Sequence, residues 1–355
     1  MVTAELQDLG WDDDWASRFE ELDEDELIPG RVAAQHRGAY VIWTELGERH
    51  AELSGKLRHE LEVGAPLPAV GDWVAARAQP SGATTIHAVL PRRTAFARKE
   101  NLGGSIAQVL AANVDTVFVL TGLGEDLSAR RVERYLTMAW ESGAQPVVVL
   151  TKTDLGDVAD ALDELATVAL GVDVHPISNV TGDGIDEIRA YLAPAKTAVL
   201  LGSSGVGKSS LLNRLAGTQL MATKDVAADG TGRHTTTHRE LLRLPDGALV
   251  IDTPGLRELQ LWTAGEGLSA AFDDIEALAG ECRFTDCAHV REPGCAVLAA
   301  VDEGTLPLDR LRSWRKLQRE LEAIAARSDR RLREARKRRW KQHARSIRNT
   351  KWHGV

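Results

Sequence analysis

Gly202-Ser203-Ser204-Gly205-Val206-Gly207-Lys208-Ser209 has the residue types and spacing of a phosphate-binding loop. Its glycines let the backbone wrap a phosphate. A helix starting at the loop adds free N–H groups and the positive end of its dipole. In that setting Lys208 reaches the β- and γ-phosphates of a nucleoside triphosphate. The Ser209 hydroxyl, with Ser210 beside it, holds Mg2+. A second set lies nearer the C-terminus. Cys282, Cys287, His289 and Cys295 supply three thiolates and one imidazole within 14 residues. That is a closed tetrahedral set with no position left for water, hence one structural Zn2+. All 3 cysteines of the chain fall here, an odd clustered count that favours metal over disulfides. The competing reading is three buried free thiols.

Further stretches resemble the motifs of a GTPase. Asp252-Thr253-Pro254-Gly255 ends an apolar run, where an aspartate holds Mg2+ through water and a glycine N–H senses the γ-phosphate. Thr151-Lys152-Thr153-Asp154 resembles the guanine-recognition motif. There a buried carboxylate accepts from guanine N1–H and the exocyclic amine, while the lysine stem covers the base. Adenine has no matching donors, so ATP leaves the carboxylate unpaired. Ser178-Asn179 resembles the loop whose backbone N–H meets the guanine carbonyl. One departure stands out. The motif usually opens with asparagine, and Thr151 carries a shorter group that cannot reproduce both amide contacts. Thr236 is the choice for a second Mg2+ contact, with Thr235 and Thr237 as alternatives. Leu256 stands where many GTPases carry a water-orienting glutamine, which predicts slow intrinsic hydrolysis completed elsewhere. His234 is a candidate helper; its other reading is a surface loop histidine.

The elements that position these residues follow from apolar patterning. Ala198 to Leu201 reads as a buried strand feeding the phosphate loop, and Ser209 to Leu215 as a helix stopped by Gly217. Strands at Val114–Leu120, Pro146–Leu150 and Val172–Ile177 alternate with helices at Ser128–Trp140 and Asp157–Leu170. That alternation implies a parallel sheet with ligands at its strand ends. Glu240–Leu244 and Ala248–Ile251 read as a hairpin. Upstream, five short strands between Ile28 and Arg98 fit an oligonucleotide-binding type of β-barrel. Such a barrel binds RNA or is purely structural; its pattern does not choose. Met1–Leu27 is acidic and reads as a mobile or loosely docked extension.

The net charge of -9 hides an asymmetry: Arg310–Val355 carries 17 Lys and Arg against 4 Asp and Glu, leaving 26 against 48 before it. Leu308–Ala326 and Arg330–Arg348 read as helices; the second interleaves arginines with Trp340, and Trp352 follows. This suits phosphate and base stacking, or a solvated charged helix. No apolar run is long enough to span a membrane, and the N-terminus lacks a signal-like core; a cytoplasmic protein is expected.

Together these features closely resemble the RsgA family of circularly permuted GTPases, over roughly Ile28 to Ala326. The resemblance also rests on Gly71-Asp72-Trp73-Val74, Leu90-Pro91-Arg92-Arg93-Thr94, Gly232-Arg233-His234-Thr235-Thr236-Thr237 and Glu292-Pro293-Gly294-Cys295. Guanine recognition precedes the phosphate loop, the reverse of most GTPases, and a parallel sheet tolerates that permutation. The resemblance implies a multidomain chain. The acidic extension (1–27) is a departure from the family, and what the resemblance covers begins with an OB-fold barrel (28–98). A permuted α/β P-loop GTPase (99–278) and a zinc-binding domain with a basic helical tail (279–355) follow. It implies GTP and GDP binding, late maturation of the small (30S) ribosomal subunit, ribosomal RNA contact and subunit-stimulated hydrolysis by a monomer. Rival readings are a P-loop ATPase or kinase, and an RNA-binding assembly protein whose nucleotide site is only structural.

Overall fold

The computed structural model describes residues 5–22, 24, 26–36, 38–62, 67–78, 84–99, 107–220, 239–252 and 266–328. The chain divides into two compact units, Met1–Gln260 and Leu261–Val355.

In the first unit, five strands of alternating or continuous apolar residues curl into a barrel. They are β1 (Ile28–Gln35), β2 (Tyr40–Thr44), β3 (Gly47–Leu53), β4 (Trp73–Ala78) and β5 (Thr84–Val89). The order β1-β2-β3-β5-β4 closes through a β1–β4 pairing, and β3–β5 is its parallel pair. Val32, Ile42, Val74, Ala76 and Ile86 fill the interior at 0% exposure. Closure leaves no free sheet edge within the barrel. A helix not expected from the sequence, α2 (Gly55–Glu62), crosses between β3 and β4 and lends Leu57 to this core.

The expected loose N-terminal extension is docked. Leu6–Leu9 forms a 3-10 turn, and α1 (Asp13–Glu20) follows, capped by Asp12, which accepts from the Trp15 N–H at 3.1 Å. Leu9 and Trp15 are buried with Trp73 and Leu90, flanked by Trp11 and Phe19. Asp12 and Asp14 meet the Arg93 guanidinium, which lies 4.4 Å from the Trp15 ring. Arg93 holds both carboxyl groups below their usual range. The charge that suggested mobility is one face of an amphipathic segment.

A ribbon of β6 (Ala95–Lys99) and β7 (Ala107–Ala112) links the barrel to an α/β sheet. That sheet contains β8 (Thr116–Gly122), β9 (Gln145–Thr151), β10 (Val174–Pro176), β11 (Thr197–Leu201), β12 (Arg239–Arg243) and β13 (Leu249–Asp252). Its order is β10-β9-β8-β11-β13-β12, and β12 continues into the barrel by pairing Ala34 with Glu240 and Gln35 with Arg239. The helices are α3 (Ala129–Ser142), α4 (Ala159–Ala166), α5 (Ile185–Arg189) and α6 (Lys208–Ala216). Phe118, Val147, Ile188, Leu211 and Ala248 meet in the core at 0% exposure.

The second unit holds α7 (Glu266–Ala271), α8 (Asp273–Gly280), α9 (Ala296–Asp302) and α10 (Leu308–Ser328). Phe272, Ile275, Val297 and Leu311 are buried at 0%. Arg310, 3% exposed, makes a two-pronged pair with Asp274 at 2.6 and 2.7 Å and stacks over Phe272. The predicted helix at Arg330–Arg348 lies outside the described residues.

Candidate nucleotide and metal sites

Strands β8, β9, β10, β11 and β13 run parallel, so their C-terminal ends share one edge of the sheet. Ligands bind at that edge in open parallel sheets. The described candidate residues of the first unit gather there from distant points in the chain.

β11 delivers the phosphate loop and α6 carries it away. Gly202 sits at φ +153°, and a Cβ there would lie 2.8 Å from the Leu120 carbonyl oxygen, so the turn admits no side chain. Val206 is buried and anchors the loop, while Ser204 and Gly205 are exposed. Gly207 caps α6 at φ +106°. Lys208 Nζ donates to the Gly202 and Ser203 carbonyls at 2.8 and 2.6 Å, which sets the ammonium over the loop's own backbone. Ser209 and Ser210 open α6 half-buried. Asp252 ends β13, the neighbour of β11, and is half-buried beside the loop.

β9 delivers the base-recognition stretch. Thr151 is 0% exposed, and its hydroxyl donates to the Val206 carbonyl at 2.6 Å, with the Thr121 carbonyl at 3.3 Å. This bond ties base loop to phosphate loop directly. Lys152 adopts φ +63°, a left-handed turn that costs a non-glycine residue about 1–2 kcal/mol. Its stem runs along Gly122, where a Cβ would lie 3.5 Å from Lys152 Cδ. The Thr153 N–H donates to the Ile177 carbonyl at 3.3 Å. Asp154, expected as a buried carboxylate, is exposed at the strand-end edge, where it accepts from the buried Ser178 hydroxyl at 2.6 Å. Ser178 Oγ in turn accepts from the Val180 and Thr181 N–H groups at 3.1 Å each. The hydroxyl therefore fixes one carboxylate oxygen, and the other retains acceptor capacity for paired N–H donors. Asn179 reaches the phosphate loop: its Nδ2 donates to the Gly207 carbonyl at 3.2 Å.

Asp126 is a residue that no sequence motif marks. It accepts from the Ser203 hydroxyl at 2.7 and 2.9 Å and pairs with Arg131 at 2.8 Å. An aspartate in the turn after β8 is ordinary in sequence; only the fold brings it to the phosphate loop. His234, Thr236 and Gly255 lie outside the described residues, as does the whole stretch 221–238.

A cavity of about 680 Å3 opens at the opposite end of the sheet, against Trp11, Arg31, Trp73, Thr116, Gln145 and Lys196. Arg31 bonds the Leu9 and Asn113 carbonyls and the Thr197 hydroxyl there, a staple between segments. Burial pulls its guanidinium down to about 10, still cationic at neutral pH. None of the nucleotide loops borders this cavity.

In the second unit, Cys282, Cys287, His289 and Cys295 bring their ligand atoms within 4.8 Å of one another. Cys282 and Cys295 Sγ are 3.8 Å apart, and His289 Nδ1 lies 3.6 and 3.4 Å from them. A tetrahedron with Zn–S near 2.3 Å and Zn–N near 2.05 Å has edges of about 3.8 and 3.6 Å. These three spacings fit a zinc site, Cys287 Sγ lies within 4.8 Å of the other ligand atoms, and a sulfur separation of 3.8 Å is far too long for a disulfide. His289 reaches its place at φ +55°, and its ring packs 5.4 Å from Trp314.

A family profile described as RsgA GTPase matches residues 89–262, and one described as 50S ribosome-binding GTPase matches 197–332. A protein of Opitutus terrae named small ribosomal subunit biogenesis GTPase RsgA is 52% identical over 348 residues, 95% of each chain. A protein of the same name from Streptomyces avermitilis is 49% identical, over 95% of this chain and 91% of its own. The crystal structure of YjeQ from Thermotoga maritima superposes with a TM-score of 0.64 at 29% identity, covering 83% of this chain and 98% of that one. YloQ, titled a circularly permuted GTPase, shares the fold at a TM-score of 0.61 and 24% identity, over 85% and 97% of the two chains.

Proposed function

This chain belongs to the RsgA GTPase family, and from that premise we propose that it is a cytoplasmic, monomeric GTPase of small ribosomal subunit biogenesis. The observation that carries the nucleotide part is the Thr151–Val206 hydrogen bond, which joins a base loop and a phosphate loop from different parts of the chain into one cleft. Asp154, set by Ser178, and the backbone at Ser178-Asn179 take the guanine. The Lys152 stem covers its face. The N–H groups of Ser203 to Ser210 and the Lys208 ammonium take the phosphates. Ser209 and Asp252 are the residues present that fit Mg2+, being oxygen donors beside the phosphate loop; Thr236 and Gly255 are proposed from sequence to join them. Bound there, the ion neutralises charge on the β- and γ-oxygens. Leu256 cannot orient the attacking water, so completion of the site falls to His234 or to the subunit itself. Functionally we divide the chain into the extension (1–27), the barrel (28–98), the GTPase (99–278) and the zinc region with its tail (279–355). Barrel, zinc region and tail supply the contacts to the subunit and its RNA.

Two measurements test this. Competition against a fluorescent GDP analogue is expected to show displacement by GTP and not by ATP. GTP turnover is expected to rise with purified small subunits and not with large ones. Equal displacement by ATP, or turnover indifferent to small subunits, would overturn the reading.

A further inference from the structure

We infer that Asn179 is a positioning residue for nucleotide binding: it supplies the second side-chain hold on the phosphate loop, the one that Thr151 is too short to make. The inference rests on the guanine-nucleotide reading above and assigns a division of labour within it.

A peptide unit is planar and trans, so each carbonyl points opposite to the N–H that follows it. Fixing the Val206 carbonyl therefore aims the Gly207 N–H, and fixing the Gly207 carbonyl aims the Lys208 N–H. Those two N–H groups open α6, where donors without helical partners face a phosphate. Thr151 Oγ1 holds the first carbonyl at 2.6 Å. A hydroxyl has one proton, so Thr151 cannot serve a second acceptor at full strength. Asn179 Nδ2 holds the Gly207 carbonyl at 3.2 Å, alongside the first helical bond from the Leu211 N–H at 2.8 Å. The two side chains converge on one residue: a Cβ at Gly207 would lie 2.8 Å from Asn179 Nδ2 and 3.9 Å from Thr151. Asn179 Oδ1 is buried and has no hydrogen-bond partner among the described residues. The bond made by Nδ2 sets the amide orientation. A family motif that opens with asparagine carries both amide contacts at one position. Here they are split between Thr151 and Asn179.

The test titrates the full-length protein with a fluorescent GDP analogue and follows GTP turnover at saturation. Asn179→Ala is expected to weaken GDP binding roughly tenfold while kcat stays within about twofold, the signature of binding removed equally from ground and transition states. Thr151→Asn combined with Asn179→Ala returns affinity to within about threefold of wild type, because the amide at 151 enters the space vacated at 179 and reaches both carbonyls. Asn179→Asp keeps the size, removes the donor and weakens binding as alanine does. Wild-type affinity in either single variant, or a double variant no tighter than Asn179→Ala, would overturn the inference. Wild-type protein that takes ADP as readily as GDP would refute the guanine reading instead. The same variants then still decide the hold on the phosphate loop, with either nucleotide.

Discussion

Asp154 is the residue to which the proposed function gives the choice of base, and its surroundings make that role testable. One of its oxygens is held by the Ser178 hydroxyl at 2.6 Å, so the carboxylate is oriented before any ligand arrives. Guanine presents two N–H donors to it; xanthine replaces the exocyclic amine with a carbonyl. In Asp154→Asn the side-chain oxygen keeps the Ser178 bond and the new NH2 faces the base. GDP binding is expected to fall by about 10²-fold or more, because donors then face donors, and xanthosine diphosphate to bind better than GDP. Competition titrations with the two diphosphates check it; a variant that still prefers GDP contradicts the assigned role. At this scale the sequence was most informative where chemistry constrains residue type. The glycines, Lys208, Asp154 and the Cys3His set were all legible. Asp126 was not, because a carboxylate in a turn is ordinary until the fold sets it 2.7 Å from Ser203. Nor was the side-chain role of Asn179, since its distance from the phosphate loop is a property of the sheet.

Among elements, patterning located the barrel strands and the strands of the α/β sheet to within a few residues, and it found α3 and α6. It failed on the N-terminal segment because charge density was read ahead of periodicity. Trp11, Trp15 and Phe19 recur at four-residue spacing, one face of a helix, and Leu9 and Trp15 are buried to 1 and 2% exposure. The β6–β7 ribbon was missed because its short alanine-rich strands carry little alternation. The docked segment makes a prediction. Trp15→Ala removes a buried indole at a cost of about 3–5 kcal/mol and exposes the Trp73 face beneath it. Hydrogen exchange is expected to lose protection across Asp13–Glu20, while GDP affinity stays unchanged, since the cluster packs at the strand ends opposite the nucleotide loops. Retained protection would show that the Arg93 pairs alone hold α1; weakened GDP affinity would show that the two ends of the sheet are coupled.

For the molecule as a whole, motif order does not matter to the site, because a parallel sheet places β8, β11 and β13 side by side whatever their order in the chain. The same sheet continues through β12 into β1, so the strand pair that ends in Asp252 is hydrogen-bonded to the barrel. Charge is distributed on the same scale. Residues 329–355 carry 11 Lys and Arg against 2 Asp and Glu, in a chain whose net charge is -9. A segment this basic on an acidic body is suited to a polyanion, and each phosphate it neutralises releases counterions. Deleting residues 329–355 should therefore lower the affinity for small subunits and flatten its salt dependence. The slope of log K against log salt should shrink by about 0.7–0.9 for every phosphate the tail had neutralised. GDP affinity and subunit-free GTP turnover should not change, because every described nucleotide-site residue lies before residue 253. An affinity plot with the same slope before and after deletion would mean that the tail meets no phosphate, and that barrel and zinc unit carry the RNA contact between them.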